Sequence, residues 1–230
     1  MKKPNNTTPH KACEYDEKVR KVIPYYEVFH SETIDLIKTL KPDVKTWLDT
    51  GCGTGYLARE AIKHFPDTLF ILADPSDGML QEAKKCLGDI FPEQIQFVDS
   101  AVSEDLPEKL SVQPEVITAI MCHHYLKPEK RQATVQRCFD LLAPEGVYIT
   151  FENIRPSSQK GIEACLDRWK RFQMSQGRSQ ATVENHLKRF DTEYFPITIV
   201  EHLGLLKETG FGNVNLFWHS CVQAGFYAIK

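Results

Sequence analysis

The chain has 230 residues, of which 42% are apolar and 26% charged, with 28 Lys+Arg against 31 Asp+Glu for a net charge of −3. This balance suits one globular domain with a core of its own, and it excludes a protein whose main partner is a nucleic-acid backbone. No apolar run approaches the ~18 residues of a membrane span, and the polar opening Met1-Lys2-Lys3-Pro4-Asn5-Asn6-Thr7-Thr8-Pro9 has no signal-peptide core, so a cytoplasmic chain without a membrane partner is expected. Seven cysteines, at 13, 52, 86, 122, 138, 165 and 221, form no CxxC pair and read as reduced thiols.

Residues 1–12 are expected to be disordered, and 13–230 to form a single domain. Glu14 to Leu40 is helical in pattern and broken at Pro24, which cannot donate within a helix. Then short apolar runs alternate with helices. Lys45–Asp49 is the first strand, ending in Thr50-Gly51-Cys52-Gly53-Thr54-Gly55, and a helix runs on to about Phe65. Thr68–Ala73 is the second strand, stopped by Asp74-Pro75, with a helix from Asp77 to about Leu87. Ile95–Val98, Val116–Met121 and Val147–Phe151 are the next three strands, with a helix over Pro128–Leu142. This alternation predicts an α/β fold of βαβ units around a mostly parallel, Rossmann-like sheet.

Residues 155–195 break the rhythm, being helical, polar and without a strand; they read as a helical lid inserted over one end of the sheet. A helix returns at Ile199–Thr209, capped by Gly210. Val214–Trp218 and Gln223–Ile229 then form a terminal hairpin that adds an antiparallel edge, giving seven strands in all.

The most informative segment is Leu48-Asp49-Thr50-Gly51-Cys52-Gly53-Thr54-Gly55, at a strand-to-helix junction, where glycines admit positive φ and close ligand approach. A dinucleotide fingerprint would need glycine where Tyr56 stands, and the lysine of a P-loop is missing. The carboxylate of Asp49 within the turn repels a pyrophosphate but suits an ammonium group, such as that of S-adenosylmethionine.

On these residues the chain resembles the class I S-adenosylmethionine-dependent methyltransferases, from about Asp16 to Lys230. The resemblance implies S-adenosyl-L-methionine as cofactor. It also implies a cradle of Asp49, Gly51, Cys52 and Gly53 in the turn, Asp74 on the ribose hydroxyls, Pro75 and Met79 beside the adenine, and Asp99 with Ser100 on its edge. Two acceptor oxygens matching two vicinal donors is the reason for a carboxylate at the ribose. Asp16-Glu17-Lys18, Ile23-Pro24-Tyr25-Tyr26 and the ending Phe217-Trp218 through Gly225-Phe226 are similar to the carboxy-S-adenosylmethionine synthases of tRNA wobble modification and their small-molecule methyltransferase relatives. That likeness implies a cofactor contact for Tyr26 and a carboxylate-binding role for Arg189. The strand-four ending, Met121-Cys122-His123-His124-Tyr125, differs from the polar Asn-containing segment of those synthases, which favours methyl transfer to an O, N or C acceptor over carboxy transfer.

The resemblance turns Cys122, His123 and His124 toward the transferred methyl. An imidazole there can act as general base, although transfer from a sulfonium needs mainly alignment and desolvation, and one of the two histidines can instead be structural. Glu152 and Asn153 leave the fifth strand at the carboxyl edge, where open α/β sheets bind ligands. With Tyr25, Trp169, Arg189, Trp218 and His219 they are candidates for contacts to a small aromatic or heterocyclic acceptor; Trp169 and Trp218 serve equally well as glue between lid and sheet. The spacing demands no metal. A small-molecule substrate is expected, nucleic acid is not expected as the direct one, and the chain reads as a monomer or homodimer. A synthase serving tRNA modification and a non-catalytic cofactor-binding subunit are the alternatives.

Overall fold

The computed structural model describes residues 12–88, 90–98, 103, 106 and 110–230, without the Cys13 side chain. Seven strands form one sheet in the order β3-β2-β1-β4-β5-β7-β6: β1 Thr46–Asp49, β2 Leu69–Leu72, β3 Ile95–Phe97, β4 Val116–Ile120, β5 Val147–Asn153, β6 Asn213–Ser220 and β7 Gln223–Ile229. The first five pair in parallel, and β7 runs antiparallel between β5 and β6. The sequence-based strand positions hold within a few residues. β5 continues two residues further than expected, because its pairing with β7 extends through Glu152↔Ala224 and Asn153↔Gln223.

Strand alternation sends side chains into two cores. Trp47, Phe70, Leu72, Val116, Ile149 and Phe151 pack on one face beneath helices α2 (Tyr26–Leu40) and α3 (Tyr56–Ala61). Leu48, Ile71, Ile117, Tyr148 and Phe226 pack on the other, against α5 (Pro128–Leu141) and α8 (Ile199–Thr209). Helix α8 opens on a reciprocal Thr198–Glu201 capping box and closes on Gly210 at φ 115°, the latter cap as the sequence predicts. Helix α4 (Asp77–Ala83) is capped by the Ser76 hydroxyl, which accepts from the Met79 amide.

A short α1 (Tyr15–Val19) and α2 are joined through Pro24 and Tyr25, the latter held in the left-handed region at φ 63°. Residues 155–195 contribute α6 (Gln159–Ser175) and α7 (Gln180–Leu187). Their Trp169, with Phe190 and Tyr194 beyond α7, joins the same core as Phe29 and Phe151, so the insertion is packed into the molecule. The Trp169 indole donates to the Val22 carbonyl at 2.6 Å, tying the lid to the α1–α2 joint. Among the described residues no helix is long and apolar enough to cross a membrane.

The expectation of reduced thiols is corrected at one pair. Cys165 of α6 and Cys221 of the β6–β7 turn are joined by a disulfide, with Cα atoms 5.5 Å apart. Their 56-residue separation conceals this in the sequence, because only the packing of the lid against the hairpin brings them together.

Candidate functional site

Strand order reverses between β1 and β4, and open α/β sheets bind ligands at the carboxyl ends flanking such a point. There the glycine-rich turn folds between the strand tips. The Thr50 amide donates to Thr118 O at 2.9 Å and the Cys52 amide to Ala73 O at 3.0 Å, so the turn is pinned to β4 on one side and to the end of β2 on the other. A Cβ on Gly51 would lie 2.6 Å from Cys122 Cβ, which explains the glycine by close approach of the two strand ends. Gly55, at φ 78°, starts α3, and a Cβ there would meet Leu87 at 2.5 Å.

Two carboxylates face this turn from below. Asp49 is buried and takes a 3.0 Å hydrogen bond from the Thr118 hydroxyl. Burial, with the nearby Asp74 charge, pushes it up to about 7 against that bond. Asp74 accepts from the Gly53 amide at 2.9 Å and the Ser76 amide at 2.8 Å; burial raises it to about 6 while both amides pull the other way. Each carboxylate thus carries an unmet desolvation cost that a cationic or hydroxyl-bearing ligand relieves. Cys52 and Met79 are buried at the same turn and the start of α4, with Pro75 between Asp74 and the helix cap. The residues of the turn therefore fit the adenosyl cofactor that the sequence suggests. Asp99 and Ser100 lie outside the described residues.

At the end of β4 the chain turns sharply through Met121, left-handed at φ 57°, into a single turn of 3-10 helix over His123–Tyr125. Glu152, fully buried on β5, organises that turn. Its carboxylate accepts from the His123 amide at 3.2 Å, the His124 amide at 2.7 Å, the His124 Nδ1 at 2.8 Å and the Thr150 hydroxyl at 2.7 Å. Burial alone would raise this carboxyl, but the His124 hydrogen bond and the histidine charges around it win and hold it down to about 2. An ionised Glu152 favours the His124 tautomer with its hydrogen on Nδ1, although the Asn153 amide also lies 3.4 Å from that nitrogen.

The two adjacent histidines diverge. His124 lines a small cavity of about 40 Å³ together with Tyr15, Tyr26, Met121, Asn153 and Arg189. His123 points away, with ring nitrogens 3.3 Å from the Ser103 hydroxyl and 3.2 Å from the Tyr148 hydroxyl, and burial lowers it to about 4. A catalytic role for His123 is thus corrected to a structural one, since neither nitrogen is turned to the cavity.

The candidate acceptor residues separate in the same way. Asn153 and Arg189 line the 40 Å³ cavity; Arg189 donates to Glu193 at 2.7 Å and also bonds Tyr125. Glu152 does not reach the cavity, because its oxygens are consumed by the turn it braces. Tyr25 and Trp169 line a different hollow, between α6 and the hairpin turn. Trp218 packs on Tyr25, Phe29 and Phe151, as aromatic glue. His219 is exposed on β6 with its ring 3.4 Å from the Cys221 carbonyl, so its expected substrate contact is corrected to a surface position. His219 follows the β6 irregularity between Leu216 and Trp218, which breaks the strand's regular alternation. Cys122 covers Gly51, and burial, followed by the charges of Glu152, Asp49 and Asp74, keeps its thiol protonated. Tyr15, Tyr125 and Tyr194 complete the cavity wall without having stood out in the sequence, where a tyrosine on an apolar helix or turn looks like ordinary core. Asp16 binds the glycine turn, accepting from the Thr54 hydroxyl at 2.6 Å. Among the described residues no group of three His, Cys, Asp or Glu gathers as a metal site.

With this geometry in place, comparison with known proteins is direct. Residues 48–148 match the family described as "Methyltransferase domain". A putative O-methyltransferase from Nostoc punctiforme superposes with a TM-score of 0.67 at 14% identity, covering 95% of this chain and 60% of that one. Human N-acetylserotonin methyltransferase in complex with its cofactor superposes at 0.59 and 16% identity, over 98% of this chain and 60% of the human one. Residues 48–148 therefore carry a methyltransferase domain, and the fold around them is the one these methyltransferase neighbours share, which supports an S-adenosylmethionine-dependent enzyme. Its full-length sequence likeness runs to carboxy-S-adenosyl-L-methionine synthases: 23% identity to that of Nautilia profundicola over 95% of this chain and 92% of the relative, and 26% to that of Wolinella succinogenes over 95% and 90%.

Proposed function

We propose that this chain transfers a methyl group to the O, N or C atom of a small acceptor that carries a carboxylate or similar anion. The observation behind this reading is one cavity shared by a Glu152-braced His124 and the buried guanidinium of Arg189, directly beside the Met121–Cys122 turn that covers Gly51. When bound, S-adenosylmethionine supplies a methyl group activated by its sulfonium. Asp49 would take the ammonium and Asp74 the ribose hydroxyls, each relieved of its burial cost. Gly51, Cys52 and Gly53 would lie against the methionine portion, Pro75, Met79, Asp99 and Ser100 against the adenine, and Tyr26 would close the cavity from α2. Arg189 pairs with the acceptor's anion, which fixes its orientation. His124 Nε2 takes the proton the acceptor loses, while Nδ1–H remains on Glu152 and the growing imidazolium charge is offset by that carboxylate.

We read residues 13–230 as one catalytic domain with 155–195 as its lid, because Trp169, Phe190 and Tyr194 share the core of the sheet. The same reading has a small-molecule partner rather than nucleic acid, a monomer or homodimer, and a cytoplasmic location. Titration calorimetry with S-adenosylhomocysteine, then product mass spectrometry over a panel of small carboxylic acids and their esters, tests it. The expected result is binding in the micromolar range and turnover confined to the acids; no binding, or equal turnover of the esters, overturns it.

A second reading is carboxy-S-adenosylmethionine synthesis, with tRNA wobble modification as its proposed use; the synthesis is supported by the full-length relatives and by the same Arg189, which would then hold a carboxylate borne by the cofactor. Mass spectrometry of the ligand retained by the purified protein separates the two. A carboxylated cofactor together with consumption of prephenate favours the synthase, and plain S-adenosylmethionine or its demethylated product favours the transferase.

A further inference from the structure

We propose that the hollow between α6, the α1–α2 joint and the β6–β7 turn is a second ligand site, for a compact aromatic molecule that carries one hydrogen-bond donor. The hollow encloses about 230 Å³ and is walled by Pro24, Tyr25, Trp169, Phe172 and Val222, with the Cys165–Cys221 bridge along one side. A cavity of roughly 150 Å³ suffices for a benzene ring, so this one accommodates a substituted ring. Its lining is apolar apart from Arg168, Ser220 and Gln223. Gln223, 1% exposed, lines the hollow, and among the described residues its Oε1 has no hydrogen-bond partner. Its Nε2 is engaged, donating to Asn153 Oδ1 at 3.2 Å. A buried amide oxygen without a partner costs about 1–3 kcal/mol, and the chain tolerates that cost at a residue lining an aromatic-walled space.

Two backbone features indicate that the wall is built to a shape. Tyr25 and Cys221, both lining the hollow, are left-handed, at φ 63° and 56°, a conformation unfavourable for residues other than glycine. The Tyr25 hydroxyl accepts from Arg168 at 3.3 Å, and the disulfide fixes Cys221 to the lid. A planar ring between Tyr25, Trp169 and Phe172, with a hydroxyl or N–H turned to Gln223 Oε1, satisfies both the apolar wall and the orphaned acceptor. The site is separate from the reaction cavity, and the Asn153–Gln223 pair lies between them, Asn153 lining one and Gln223 the other. The inference does not depend on which acceptor is methylated.

Fluorine NMR on the full chain, without cofactor, tests it with 4-fluorophenol and 4-fluoroanisole, which differ in the single donor. The phenol is expected to bind at least tenfold more tightly than the ether. Gln223→Met is expected to abolish that preference, and Ser220→Phe, which fills the hollow, to abolish binding of both while leaving affinity for S-adenosylhomocysteine within about twofold. Ser220 lines the same hollow and has no part in the reaction cavity. Equal binding of the two probes, no binding of either, or phenol binding that survives Ser220→Phe overturns the proposal. If Gln223→Met does not fold, the phenol-to-ether ratio and the Ser220 variant decide it.

Discussion

The two sides of the carboxyl edge are made in different ways. On the glycine-turn side, residues 48–55 and 74–79 form a continuous local device whose partners are backbone amides, strand-tip carbonyls and a helix cap. On the lid side, Glu152, His124, Asn153, Arg189 and Gln223 come from β5, the 3-10 turn, the insertion and the hairpin, and each depends on a contact made far away in sequence. The local side tolerates almost no added volume but carries its own specification. The assembled side tolerates change in the sequence around it, yet fails when one brace is removed.

The largest effect should come from the local side. Gly51→Val places a side chain where Cys122 already sits, and affinity for S-adenosylhomocysteine in calorimetry should fall by more than ~100-fold. An unchanged affinity would mean that the turn does not hold the cofactor. On the assembled side, Glu152→Gln puts an amide N–H₂ among four donors and unpairs His124. Turnover should drop by about 100-fold, with roughly 3 kcal/mol lost in urea unfolding. A stability loss with kcat unchanged would reduce Glu152 to a purely structural brace and remove the base.

Arg189→Met should raise the acceptor KM by about 10–100-fold and leave cofactor affinity alone, since a charged hydrogen bond contributes about 1.5–3 kcal/mol. A matching loss of cofactor affinity would instead favour the synthase reading. The pH dependence separates the two sides again. Asp49 and Asp74 are raised in the ligand-free chain, to about 7 and about 6, so these groups favour folding at low pH and lose that contribution as pH rises through those values. A ligand ammonium on Asp49 reverses the preference. Cofactor affinity should therefore climb by up to about tenfold per pH unit below neutrality, with protons released on binding, as calorimetry in buffers of different ionisation enthalpy would show. The smallest effect belongs to the disulfide. Peptide mapping without reductant should recover Cys165 linked to Cys221, and reduction should lower thermal stability while changing cofactor affinity by no more than about twofold, because the bridge touches only the outer hollow.

Much of the sheet was legible in the chain. Alternating apolar runs gave all seven strands, and Pro24 and Gly210 marked helix boundaries, because these signals act through a residue's own φ and its immediate neighbours. The histidine pair shows where legibility stops. His123 and His124 are adjacent and identical in type, yet one faces Ser103 and Tyr148 and the other the cavity. Which is which depends on a left-handed Met121 and on the Glu152 carboxylate, 28 residues from His124.

The sequence by itself determined the parallel sheet, the acidic glycine turn and its suitability for an adenosyl sulfonium, since each rests on short-range sterics, period-two burial and the charge of a single loop. Only the tertiary structure decided that Glu152 braces rather than binds, that His219 faces outward, that Cys165 meets Cys221, and that Gln223, lining a largely apolar hollow, keeps an oxygen unpaired among the described residues. Those outcomes depend on where the lid and the hairpin dock, and docking is a sum of many weak packing contacts that no local stretch of the chain encodes.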